Sequence, residues 1–458
     1  MLEIVLRILK KFRAPQLVLA IWLIAIFNIA PWKNRKVINN DIIVYYEYLP
    51  AFFIFNDPTF KFAEKLPENF HGTIWLEKGT MCPKTTIGLS IMYTPFFFIG
   101  HLAAKLLNYQ ADGYTLPYLF CLSFSGLFYA FCALLILEKI LKRYYSSWVT
   151  ALVIFTFAFA TNLHFYTLYE GPLAHAHDFF LISLFLWLTI IWHEKPTYVN
   201  SILLGFVFGF IFLVRPVNAL IGLIPLLYQV KDFSSVLLKA KFLIKNSLKI
   251  IVSIFFAFIA ILPQLVFWKI NTGKWFFYSY GSESFYFNNP HIIEGLFSYR
   301  SGWLLFTPVM FFAIAGLFFI KKYAADLKWG ISVFFCVNVY VLFSWWCWWY
   351  GGFSIRAMID TYGILAMPLG AFYTHAINTK YARLAFYLLL GFFIHLNIFQ
   401  TKQFNNLYVH YNANTRTSYW AAFMKKHPPV NFWDMLKSPD YNAALEGKEE
   451  PQGVECFP

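Results

Sequence analysis

A few ionisable residues stand out in this sequence because they lie at the ends of apolar runs, where a charge stays solvated and still meets a lipid-anchored substrate. Asp41 sits in Asn40-Asp41-Ile42-Ile43-Val44-Tyr45-Tyr46-Glu47-Tyr48-Leu49-Pro50, just after the first apolar segment. A carboxylate held there can take the proton of a hydroxyl. Tyr45, Tyr46 and Tyr48 bring apolar bodies with polar tips to the same level and suit a sugar ring. Glu170 opens Glu170-Gly171-Pro172-Leu173-Ala174-His175-Ala176-His177-Asp178. Pro172 fits the first turn of a helix, which puts Glu170 at the helix mouth and His175 and Asp178 on one face going inward. His175, His177 and Asp178 are also spaced to bind a divalent metal, although the pattern offers no further ligand.

Four cations complete the set: Lys84, Arg215, Arg300 and Arg356. Arg215 follows the apolar run Gly205 to Val214, and Arg356 ends the aromatic stretch Trp345-Trp346-Cys347-Trp348-Trp349-Tyr350-Gly351-Gly352-Phe353-Ser354-Ile355-Arg356. A guanidinium fork at the membrane surface matches the oxygens of a lipid phosphate. Each residue also has a plainer reading. A lone acid can be a solvated loop residue, a histidine an interfacial one, and an arginine can snorkel and pack on tryptophan.

The elements that would position them follow from composition. The 458 residues are 59% hydrophobic, 22% aromatic and 13% charged, far below the charge of soluble domains, so the chain reads as an integral membrane protein. The net charge of +14 does not point to nucleic acid, because Lys and Arg fall in short clusters between apolar runs, where they set topology. Cys82, Cys121, Cys132, Cys336, Cys347 and Cys456 form neither a CxxC pair nor a metal spacing with histidine.

Arg7, Lys10, Lys11 and Arg13 before the first span (residues 15 to 31) place the N-terminus in the cytoplasm and Asp41 outside. Residues 87 to 107 read as an external juxtamembrane pair of helices broken at Pro95, because a crossing there would put Lys139, Lys142 and Arg143 outside. Further spans are expected near 115 to 138, 148 to 168, 173 to 192, 200 to 214, 217 to 230, 249 to 268, 303 to 320, 329 to 346, 359 to 377 and 383 to 399. The expected fold is all-α and polytopic, a bundle of about eleven transmembrane helices. Residues 1–400 would form the transmembrane domain, with 32–114 as its first external loop, and residues 401–458 an external tail.

The early external Asp41, the acid at the mouth of a later span, the turn carrying Arg356 and Ser298-Tyr299-Arg300-Ser301-Gly302-Trp303 together resemble the GT-C glycosyltransferases that use polyprenyl-phosphate sugars. The protein O-mannosyltransferases and the aminoarabinose transferases of lipid A belong to that superfamily, and the likeness is greatest to their bacterial relatives. The resemblance implies that Asp41 is the general base, that Glu170 assists it, and that Lys84 with an arginine holds the donor phosphate. Pro83-Lys84 departs from the Lys-Pro-Pro order of some relatives. It further implies a polyprenyl-phosphate-linked donor, a lipid, glycan or protein acceptor, and residence in a bacterial inner membrane. No nucleotide is needed for this chemistry, in keeping with the absence of a phosphate-cradling glycine-rich loop on a strand, and the sequence names no certain cofactor, a divalent metal staying open.

Two other classes compete. A transporter or lipid-glycan flippase would place polar residues near the midplane on broken helices. A membrane acyltransferase would need His and Asp one residue further apart than His175 and Asp178.

Overall fold

The computed structural model describes residues 13–34, 37–62, 74–77 and 80–448. Arg7, Lys10, Lys11 and Cys456, and parts of the first loop and of the tail, lie outside the described residues. The described residues are mostly helical, as the long Leu, Ile and Phe runs dictate, with very little strand.

The first helix, α1 (Ala14–Ile29), leads into two short helices, α2 (Asn40–Tyr46) and α3 (Tyr48–Phe53). A two-stranded antiparallel hairpin, β1 (Ile74–Glu77) with β2 (Thr80–Pro83), pairs Ile74 with Pro83 and delivers Lys84. Then come α4 (Gly88–Leu106), α5 (Leu116–Leu141), α6 (Ser147–Phe159), α7 (Leu163–Leu168), α8 (Ala174–Glu194) and α9 (Tyr198–Val214). A 3-10 turn, Pro216–Gly222, precedes α10 (Leu223–Leu227), followed by α11 (Phe233–Lys245) and α12 (Ser247–Thr272). The last part holds α13 (Ile292–Phe297), α14 (Trp303–Phe306), α15 (Phe311–Tyr323), α16 (Lys328–Phe343), α17 (Tyr362–Asn378) and α18 (Lys380–Asn405). The tail adds α19 (Arg416–Ala422) and α20 (Tyr441–Leu445).

Among the described residues, six helices are long and apolar enough to cross a membrane: α1, α4, α5, α8, α12 and α18. That is fewer than the eleven expected, and the reasons are local. The run 148 to 168 breaks between α6 and α7, where Asn162 turns its amide onto Phe353 O. Pro216 and Pro308 each lack the N–H that continues a helix, so 217 to 230 and 303 to 320 divide into 3-10 turns and short helices. The expected break at Pro95 is absent, and α4 runs unbroken through it.

Helix α8 is the axis of the bundle: 78% of its most apolar window is buried, against 28% for α12 and 22% for α18 on the periphery. It starts beside Asp41's end of the molecule and finishes at Glu194, which pairs with Arg143 at 2.9 Å just beyond α5. Gly205 and Gly209 of α9 lie directly against the backbone of Ser253 and Ala257 on α12. Small residues let these two helices approach backbone to backbone, a contact that needs no hydrophobic drive.

Candidate functional site

The bond between Asp41 and Arg356 forms the centre of the site: Arg356 Nη2 donates to Asp41 Oδ2 at 2.5 Å across 315 positions of sequence. Each partner is placed by an unusual piece of backbone. Asp41 stands in the first turn of α2, just after Asn40 at φ 45°. Arg356 follows a turn in which Tyr350, Gly351, Gly352 and Ser354 all have positive φ. Gly352, at φ +147°, occupies a region essentially closed to other residues, and a Cβ there would meet Tyr166 Oη. Tyr166 Oη accepts from Phe353 N at 2.8 Å and Gly352 N donates to Tyr411 O at 2.8 Å, so the bundle and the tail both fix this turn.

The Arg356 guanidinium holds Asp41 below the usual carboxylate range against the opposing effect of burial. Asp41 is thus ionised, and its Oδ1 takes no hydrogen bond from the described residues. Its side chain keeps 52% of its accessible surface and lines a cavity. Burial pushes Glu170 the other way, up to about 7, with Arg356 opposing and Asp41 adding to the rise. Two carboxylates near one cation therefore differ in their readiness to hold a proton, the pattern that separates acid from base roles.

This difference has a measurable consequence. Between its ordinary value of 4.5 and about 7, native Glu170 keeps a proton that the unfolded chain has released. Stability therefore falls as pH rises through that window, and the loss is complete above it. Glu170→Gln is expected to be more stable than wild type by up to about 3 kcal/mol at about pH 8, and equal to it at about pH 4. Unfolding midpoints of the two proteins across this range check it, and a pH-independent difference would show that Glu170 does not titrate there.

A second charged group lies beside the first. Arg215 Nη1 donates to Asp360 Oδ2 at 2.5 Å, Asn218 Nδ2 donates to the same oxygen at 3.1 Å, and His175 Nδ1 lies 2.9 Å from Asp360 Oδ1. Asp360 is thus a buried acceptor for Arg215 and Asn218 that faces His175. Asp178 is fully buried next to this group. Arg215 caps the C-terminal end of α9, and Pro216 behind it forces the chain out of the helix, which turns the guanidinium toward Asp360.

Both groups open on one cavity of about 1430 Å³. Asp41, Tyr45, Lys84, His175, Arg215 and Arg356 all line it, so six of the residues singled out by sequence meet in one place. Lys84 Nζ pairs with Glu283 Oε1 at 2.5 Å and lies 5.1 Å from the Tyr280 ring centre. From this charged end an apolar arm follows one face of α9 through Phe212, Phe208 and Leu204, and one face of α12 through Ala257, Ile254 and Ile250. The arm reaches Trp192 and Leu243 near the opposite end of the bundle. On α12 the lining of the whole cavity, charged end included, extends from Trp268 to Ile250, 18 positions or about 27 Å along the helix, close to the ~30 Å of a bilayer's hydrocarbon core. Ile254 at 64% and Leu226 at 54% exposure leave its side open to the surroundings of the bundle.

Other expected residues are placed elsewhere. Tyr46 is fully buried and donates to Gly113 O at 2.5 Å, and Tyr48 donates to Thr85 O at 2.7 Å. Arg300, 1% exposed, lies under the tail, donates to Asn412 O at 2.8 Å and packs over Trp349. His175, His177 and Asp178 do not converge. His177 bonds back to Leu173 O at 3.0 Å with its ring against Tyr93 and Tyr129, because residues two apart on a helix point in different directions. Among the described residues, no group of three or more His, Cys, Asp or Glu is disposed to hold a metal ion. Sequence reasoning missed Asp360, Asn218, Glu283 and Tyr280. Asp360 carried a signal, being an acid at the entrance of the apolar run that becomes α17.

No family model and no curated protein matches this chain.

Proposed function

We propose that this chain is a membrane glycosyltransferase of the GT-C type, moving a sugar from a polyprenyl-phosphate donor to an acceptor hydroxyl. The observation that carries this reading is the shape of the cavity. An apolar arm, open at its side, ends at three cations and a free carboxylate oxygen, and the cavity as a whole is about as long as a bilayer core is thick. A donor with a long lipid tail and an anionic headgroup has that same order of parts. The prenyl chain would lie along α9 and α12, and the phosphate would meet Arg215, Lys84 and Arg356. A planar fork such as Arg215 matches phosphate oxygens in pairs.

In this reaction the acceptor oxygen attacks the anomeric carbon while its proton passes to Asp41 Oδ1. A new carbon–oxygen bond forms as the bond from the anomeric carbon to phosphate oxygen breaks. The electron pair leaves on the polyprenyl phosphate, whose charge the cations neutralise. Attack opposite the leaving phosphate inverts the sugar carbon.

The topology supporting this reading has the N-terminus inside and the tail outside. The basic clusters at 139–143, 231–249, 321–328 and 380–383 all lie at the end of the bundle away from Asp41, the pattern of a cytoplasmic face. Counting the four shorter apolar helices among the described residues as crossings beside the six long ones brings the total to ten, or nine with α4 along the outer surface. Ser90 and Tyr93 of α4 bond to Tyr45 O and Pro172 O, both at the Asp41 end. Transport is less well supported, since the charges lie at one end of the cavity rather than along it.

The purified protein, offered a panel of radiolabelled polyprenyl-phosphate sugars and nucleotide sugars, is expected to transfer only from the lipid-linked donors. Arg215→Lys keeps the charge but loses the fork, and is expected to raise the donor KM about tenfold with protein abundance unchanged. Transfer from a soluble nucleotide sugar, or wild-type donor kinetics in this variant, would overturn the donor assignment.

A further inference from the structure

Helix α11 has no evident part in the site, yet it is built unlike its neighbours. It is capped by Asp232, whose Oδ1 accepts from Ser235 N at 2.8 Å, and it ends where Asn246 N bonds to Phe242 O. At 13 residues, about 20 Å, it is too short to cross a bilayer and carries Lys239, Lys241 and Lys245. At helical spacing Phe233, Val236, Leu237, Ala240 and Ile244 fall within one face about 100° wide. That face is bare: Phe233 is 87% exposed, Ile244 74% and Leu237 64%.

The roll of the helix is fixed. Lys239, 7% exposed, points into the bundle with Nζ 2.5 Å from His193 Nε2, and Leu243 turns inward to line the inner end of the cavity. The apolar face must therefore point outward. It continues onto α12, whose Leu248, Ile251, Ile254 and Phe255 are 56–66% exposed on the flank of a 26-residue apolar helix. On the membrane reading, exposed apolar residues on both of these neighbouring helices are the ones that lipid would cover. Lys241 and Lys245 sit at the edge of the apolar face and Lys231 just before the helix, and all are exposed. Around them Asp232 is the only acid from 231 to 249, against Lys231, Lys239, Lys241, Lys245 and Lys249.

We propose that α11 is an in-plane helix that docks on an anionic lipid leaflet, burying Phe233, Val236, Leu237 and Ile244 among the acyl chains and setting Lys231, Lys241 and Lys245 among anionic headgroups. An apolar stripe edged by lysine is the pattern of helices that lie in the membrane interface. Attraction to anionic headgroups adds with each lysine near the surface.

The inference rests on the membrane reading but not on sugar transfer, and its test needs no activity. The full chain is reconstituted in vesicles of phosphatidylcholine alone or with an equal part of phosphatidylglycerol, and hydrogen exchange is followed in residues 231–249. Amide exchange in α11 is expected to be on the order of tenfold slower with phosphatidylglycerol, and the difference should shrink in high salt. The combined variant Lys231→Gln, Lys241→Gln, Lys245→Gln should exchange alike in both vesicles, and Ile244→Asp should exchange fast in both. Protection in α8 reports whether each variant is folded. Should a variant fail to fold, the wild-type comparison decides alone. Equal exchange of the wild type in the two vesicles would overturn the proposal, as would a lipid dependence that survives in the folded lysine variant. Sugar transfer lost or absent in the same vesicles would bear only on the catalytic reading.

Discussion

Asp41→Asn is expected to lower the rate of the proposed sugar transfer by about 10²- to 10⁴-fold, the loss that follows removal of a positioned general base. Asparagine keeps the size of the side chain and an oxygen for Arg356 Nη2, but its amide cannot accept the acceptor's proton. The protein should still fold. Arg356 would lose its full ion pair, yet Glu170 is close enough to feel its charge and sits near neutrality in its titration. With Asp41 neutral, the repulsion that helps to raise Glu170 disappears, so Glu170 ionises more readily and replaces the missing countercharge. The measurement is transfer of radiolabelled sugar by membranes that hold equal amounts of wild-type and variant protein. Turnover at the wild-type rate would remove Asp41 from the base role. A smaller loss in Glu170→Gln, beside a large one in Asp41→Asn, is the order expected of an assisting residue.

The helices were legible in the sequence wherever one apolar run exceeded about 18 residues, because length and composition alone decide those. They were misread where a run was long enough but interrupted. Pro216 and Pro308 removed backbone donors, whereas Pro95 left α4 intact, and whether a proline bends or divides a helix depends on neighbours that no single segment contains. Asp41, Lys84, Arg215 and Arg356, which line the candidate cavity, stood out in the sequence because charges at the ends of apolar runs need a reason to be there. What could not be read was pairing. Lys84 looked free in sequence and is bound to Glu283, and Arg300 looked like a phosphate ligand and is buried under the tail. Those partners lie 199 and 112 positions away.

Asp360 shows what such hidden pairing is expected to contribute, and it gives the largest effect on stability. Its side chain is 3% exposed and accepts from Arg215 and Asn218 while facing His175. Asp360→Ala would leave the Arg215 guanidinium, itself only 15% exposed, without its ion-pair partner, with the buried Asp178 as the remaining acid beside it. Losing one member of a buried pair typically costs about 3–5 kcal/mol, and a loss of that size is expected here. The melting temperature of the purified variant in detergent measures it. A double replacement separates structure from function. Joining Asp360→Leu with Arg215→Met removes both charges at similar volume, an exchange that is often neutral or stabilising. The double variant should therefore regain most of the stability lost in Asp360→Ala and still bind a polyprenyl-phosphate donor weakly, because the fork facing the cavity is gone. If the double variant were stable and used the donor like wild type, Arg215 and Asp360 would be a structural pair with no part in holding phosphate. If Asp360→Ala alone were as stable as wild type, water in the cavity would be solvating Arg215, and the pair could not be what fixes the fork's direction.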